Sequence, residues 1–122
     1  MLIDWKNLPD MPGMRAGTRR KSVCGGKMSA LRLETSRDAV FDGKTHWYDN
    51  EQMMVVVSGA LSLTIDGKEI KAESGDLVFF PAGSRHGVTG TGPDGCVYYE
   101  LFAPARPDQL PGWVGPSVLH FD

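Results

Sequence analysis

Hydrophobic and polar residues alternate along most of this chain, in short runs. Residues 27–34 place Leu31 and Leu33 on one face and Met28, Ala30 and Arg32 on the other. Residues 52–57 form a compact apolar run closed by Ser58 and Gly59, and residues 60–65 set Leu61, Leu63 and Ile65 against Ser62 and Thr64. Asp66-Gly67 marks a two-residue hairpin, with residues 68–71 as the returning strand. Residues 19–24, 77–80, 85–89 and 97–102 read as further strands, residues 36–44 as a polar loop and residues 90–95 as a glycine-rich loop. Met53, Met54, Phe79 and Phe80 are assigned to the interior. No long segment repeats its apolar residues at about 3.6 positions, so the only helix expected is a turn near Asp108. Short strands separated by regular turn signals predict an all-β sandwich or barrel.

Residues 1–17 break the pattern, because Leu8-Pro9-Asp10-Met11-Pro12-Gly13 suits neither a helix nor a central strand. They are read as an N-terminal arm packed on the domain, residues 18–104 as the β-barrel, and residues 105–122 as a tail. Trp5 in the arm and Trp113 in the tail are expected to pack on a partner chain, which suggests a homodimer.

Composition narrows the function. A chain of 122 residues has the length of one domain. Its formal net charge of -2 argues against a protein built to neutralise phosphates, so no nucleic-acid partner is expected. No apolar run approaches the ~20 residues that cross a bilayer, and no membrane partner is expected. Residues 1–10 lack the basic start and apolar stretch of a secretory signal. Two cysteines, Cys24 and Cys96, suit a reducing, cytoplasmic setting better than a disulfide scaffold.

Three histidines are present, and two of them, His46 and His86, flank the most apolar strands. In an extended segment His46, Tyr48, Asn50 and Gln52 share one face, and all four carry lone pairs that can hold a metal or orient a polar ligand. Taken singly, His46 and His86 read first as core or rim histidines.

Their joint spacing resembles the cupin family. The first cupin motif runs His-x-His, three or four residues, Glu, six residues, Gly; here His46-x-Tyr48, three residues, Gln52, six residues, Gly59 keeps that spacing. The second runs Gly, five residues, Pro-x-Gly, two residues, His, and Gly75, Pro81, Gly83 and His86 match it throughout. The resemblance implies a single-domain jelly-roll barrel (a double-stranded β-helix) enclosing one divalent metal ion, Zn, Mn, Fe or Ni, with His46, Tyr48, Gln52 and His86 in the ligand positions. Tyr48 stands where a histidine is usual and Gln52 where a glutamate is usual, so the set is weaker than the family's. A narrower similarity is to the pectin-degradation cupins of the KdgF type. It rests on His46, Glu51 and Gln52, on Arg19-Arg20-Lys21, and on the stretch from Glu100 through Phe102, Pro104 and Arg106 to Asp108. That group converts unsaturated monouronates to linear keto sugars, which implies a small carboxylated substrate and lyase or isomerase chemistry in carbohydrate metabolism.

The residues suggest how such chemistry would run. Glu100 alternates with Cys96, Tyr98 and Phe102, so an inward Glu100 is a desolvated carboxyl with a raised pKa, suited to acid–base work; pairing with an arginine is the alternative. Arg106 is placed to clamp a substrate carboxylate, or else to pair with Asp108. Phe102, Trp47 and Tyr98 are expected to line the cavity, and Tyr48 is either a ligand or a catalytic acid. Arg32 is either an exposed residue or a second clamp. The leading expectation is a metal-dependent enzyme of this kind. The competing readings are a non-catalytic small-molecule-binding module and a dioxygenase or isomerase of secondary metabolism.

Overall fold

A computed structural model describes residues 1–122. Nine strands follow in order: β1 (Met11–Pro12), β2 (Thr18–Cys24), β3 (Ser29–Thr35), β4 (His46–Trp47), β5 (Glu51–Ile65), β6 (Lys68–Glu73), β7 (Leu77–Phe80), β8 (His86–Ala103) and β9 (His120–Phe121). All pairings are antiparallel. The sheet runs β1-β2-β3-β8-β4-β9, and β5 joins it by pairing with β8, β6 and β7. The long strands β5 and β8 lie side by side over most of their length, from Glu51↔Ala103 to Ile65↔His86. The sheet curls around them into a barrel. The only helical pieces are 3-10 turns at Trp5–Asn7 and Pro107–Gln109, the latter at the turn expected near Asp108.

Two runs that read as separate strands are one strand in each case. On β5 the inward residues are Gln52, Met54 and Val56 before Gly59, and Leu61 and Leu63 after it. Parity switches from even to odd because the pairing with β8 slips at Val56/Ser58 and again at Gly59/Leu61. Gly59 sits at φ +77, and a Cβ there would lie 2.1 Å from the Gly95 carbonyl oxygen, so only glycine lets the two strands approach this closely. Residues 90–95, expected as a loop, belong to β8, with Gly90 and Thr91 paired to Ser62 and Leu61. The Asp66-Gly67 hairpin is present, with positive φ at both residues (48 and 81) as a tight type I′ turn requires.

The core is built from Leu31, Leu33, Met54, Val56, Leu61, Leu63, Phe80, Tyr98 and Phe102. Met53 and Phe79, assigned to the interior from the apolar run alone, point outward at 42% and 45% exposure. They pair with each other across β5 and β7, and period-two alternation sends them away from their buried neighbours Met54 and Phe80. The arm folds back on its own barrel: β1 pairs with β2, the Trp5 ring lies 5.8 Å from that of Tyr99, and Lys21 Nζ donates to the Trp5 carbonyl at 2.7 Å. Cys24 and Cys96 are free thiols, and burial pushes Cys96 up to about 11. No helix is long and apolar enough to cross a membrane.

Candidate functional site

A cavity of ≈ 70 Å³ lies inside the barrel. That is room for roughly five water-sized spheres. Its apolar lining includes Leu31, Leu33, Met54, Leu63, Phe80, Tyr98 and Phe102. Two groups of polar side chains gather around it.

The first group comes from β4, β5, β8 and the turn after β4. His46 and His86 are cross-strand partners, with ring centroids 4.5 Å apart and edge to face. His86 is positioned by its own backbone turn, with Nδ1 3.0 Å from the Ser84 carbonyl oxygen. That bond places the ring proton on Nδ1 and leaves Nε2 as an acceptor. The Tyr48 hydroxyl lies 3.1 Å from this Nε2, and its single proton is donated to Gln52 Oε1. The Gln52 amide nitrogen in turn donates to Glu100. Glu100, Gln52 and Tyr48 therefore form one continuous hydrogen-bonded chain that ends against the His86 ring.

Burial sets the charge states along that chain. Desolvation lifts the Glu100 carboxyl to about 7, against the opposing pull of Arg106, the Gln52 bond, Arg15 and Arg20. It lowers His46 to about 3, helped by the neighbouring His86, and lowers His86 as well. Tyr48 is raised well above the usual phenol range by burial and by the nearby Glu100 carboxylate. At neutral pH both imidazoles and the phenol are neutral, and Glu100 is poised to gain or lose a proton.

The second group is cationic. Arg20 projects inward from β2 between buried Thr18 and Ser22, while its neighbours Arg19 and Lys21 face out. Its Nε is buried and finds no partner in the protein. Gln109, on the 3-10 turn after β8, is likewise buried with its Oε1 unpartnered. Arg15 lines the same cavity. Sequence reasoning passed over these three as site residues. For Arg20 a signal existed, because in the run Arg19-Arg20-Lys21 alternation must turn one basic residue inward. For Gln109, brought in by a turn far along the chain, none did.

The other expected site residues divide. Tyr98 and Phe102 line the cavity, Tyr98 anchored by its hydroxyl 2.9 Å from Thr35 Oγ1. Arg106 also reaches it, but its guanidinium is engaged: Nη2 and Nε lie 2.9 and 3.3 Å from the two Asp108 oxygens, and Cζ lies 4.7 Å above the Tyr48 ring. Both partners of this ion pair are buried, where a surface pair was the alternative read from sequence. Trp47 does not line the cavity. Alternation turns it outward between His46 and Tyr48, where it stacks on His120 at 4.3 Å and beneath Arg85 at 4.3 Å. Arg32 also faces out, paired with Glu34 at 2.7 Å.

Cupins commonly hold a divalent metal, and the four motif positions are the place to test for one. No three His, Cys, Asp or Glu side chains gather here. Two neutral imidazoles and one amide oxygen remain, and the atoms an ion would need on Gln52 and His86 already face the Tyr48 hydroxyl. That phenol is held protonated, so it serves as a donor rather than a ligand. The residues present do not fit a resident divalent ion.

A family profile described as a cupin domain matches residues 39–102. Among solved structures, KdgF from Halomonas sp. is 27% identical, covering 86% of this chain and 94% of its own, with a TM-score of 0.73. An RmlC-like cupin from Shewanella frigidimarina is 24% identical over 84% of this chain and 89% of its own, with a TM-score of 0.72. Pac13, a nucleoside dehydratase from Streptomyces, is 14% identical over 100% of this chain and 90% of its own, with a TM-score of 0.74. No curated protein matches.

Proposed function

The chain belongs to the cupin family, and from that premise we propose that it is an acid–base enzyme acting on a small carboxylated sugar or keto acid. The observation that carries this reading is the Glu100 carboxyl, lifted to about 7 within reach of a cavity that also holds an unpartnered Arg20 Nε and an unpartnered Gln109 Oε1. A buried donor and a buried acceptor without partners each cost about 1–3 kcal/mol, and a polar ligand offsets both. Arg20, with Arg15 beside the same space, takes the substrate carboxylate; Gln109 accepts from a hydroxyl. Glu100 then removes a proton next to a carbonyl, or from a ring hydroxyl, and returns it to another atom of the substrate. This is the proton traffic of ring opening, tautomerisation or elimination. Gln52 and Tyr48 hold the carboxyl in place, and Arg106 stiffens Tyr48 from above.

The divalent metal implied by the motif resemblance enters no step of this scheme. The likeness to KdgF and to the uronate-linearising group makes unsaturated monouronates the first substrates to try. In the expected result the protein consumes such a uronate, with a linear keto product seen by NMR, and Glu100→Gln abolishes turnover while keeping the fold. A second reading, a binding module without catalysis, draws on Arg106 being tied up by Asp108. Saturable binding of uronates or keto acids with no product from any of them would favour it and overturn the first.

A further inference from the structure

Position 48 carries an observation that stands apart from catalysis. Its hydroxyl touches Gln52 Oε1 and, at 3.1 Å, His86 Nε2, and the His46 ring borders the same space. These are the donor atoms that a bound ion would draw together. A phenol oxygen also reaches farther from its backbone than an imidazole Nε2, by roughly one metal–nitrogen bond of ~2.0–2.1 Å. A histidine at this position would therefore end about one bond short of where the Tyr48 oxygen now sits.

We propose that the Tyr48 hydroxyl occupies the place of a divalent ion in this barrel, its oxygen seated against both Gln52 Oε1 and His86 Nε2 where an ion would coordinate the two. The barrel has then kept a nearly complete nitrogen–oxygen site and filled its centre with a covalently attached oxygen. The ions such a site would select are those that accept imidazole with an amide oxygen, Zn and Ni among them. A single substitution, Tyr48→His, both clears the centre and adds a third imidazole, so it converts the protein into a metal binder. The inference does not depend on the proposed reaction, because it is read with metal and no substrate.

The test is direct titration of the folded chain with Zn or Ni, followed by calorimetry and by elemental analysis after desalting. Tyr48→His should retain about one ion per chain, with affinity at least ~100-fold above that of the unsubstituted protein, and should lose the ion when His86→Ala is added. If Tyr48→His does not fold, Tyr48→Ala clears the same centre, and added imidazole supplies the third ligand. One ion per chain under those conditions supports the proposal, and none overturns it. It is equally overturned if the unsubstituted protein binds one ion as tightly as Tyr48→His does, if folded Tyr48→His binds none, or if the ion survives His86→Ala.

Discussion

The two polar walls of the cavity differ in how their hydrogen bonds are met. On the histidine wall four side chains have protein partners: Gln52 donates to Glu100, Tyr48 donates to Gln52, and His86 donates to the Ser84 carbonyl. On the arginine wall Arg20 Nε and Gln109 Oε1 have none. The first wall is preorganised and draws its order from the fold. The second leaves hydrogen-bonding capacity unused, and that capacity is available to a ligand. Substitutions on the two walls should therefore separate into those that disturb the protein and those that disturb only what it binds.

The largest separation is expected at Glu100, at the ion-paired Arg106 and at the unpartnered Arg20. Glu100→Gln keeps the shape and an acceptor for Gln52 but removes the proton carrier, so kcat should fall by about 10²–10⁴, measured on whichever uronate or keto acid proves to be a substrate. Arg106→Met strands the Asp108 carboxylate in a buried site and should cost about 3–5 kcal/mol by denaturant unfolding. Arg20→Met removes a cation with an unpaired nitrogen, so it should weaken substrate binding about 10–100-fold while leaving the melting temperature nearly unchanged. Equal loss of stability at Arg20 and Arg106 would erase the distinction between the walls. Tyr48→Phe leaves Gln52 Oε1 without its donor, and should cost about 1–3 kcal/mol in the same unfolding experiment.

The smallest effect is the pH dependence of stability. His46 stays neutral in the fold down to about 3, and His86 is also lowered, while histidines of the unfolded chain protonate near ~6.5. Stability therefore falls as pH drops below ~6.5. Glu100 works in the opposite sense. Its folded value of about 7 lies above the unfolded value of ~4.3, so its contribution is complete below ~4.3 and is lost as pH rises through 7. Two histidines outweigh one carboxyl on the acid side, which places the maximum near pH ~6.5. In melting curves, Glu100→Gln should gain on the parent protein between about pH 4.5 and 7, and the gap should stay constant above that.

Much of this was legible in the residues because motif spacing and strand alternation are local properties. His46, Gln52, Gly75, Pro81 and His86 locate the barrel strands and one wall of the site without any structure. The rest depends on events that alternation cannot foresee. The slip at Gly59 reverses the inward parity of β5 and makes one strand look like two. Met53 and Phe79 are apolar but outward, so a run of apolar residues does not say which face is buried. Trp47, expected at the cavity, is turned outside by its parity. Arg20 was visible only as part of a basic run. Gln109 reaches the cavity through a turn whose path no local pattern encodes.

The central claim is that this barrel holds a carboxyl tuned for proton transfer at neutral pH, and it can be tested before any substrate is known. The measurement is a carbon-detected NMR titration of protein labelled at the glutamate side-chain carboxyl carbon, with the Glu100 signal assigned by its absence in Glu100→Gln. That signal should titrate with a midpoint near 7. A midpoint in the ordinary carboxylate range near ~4.3 would show Glu100 to be a plain ionised partner of the cavity arginines and would contradict the account.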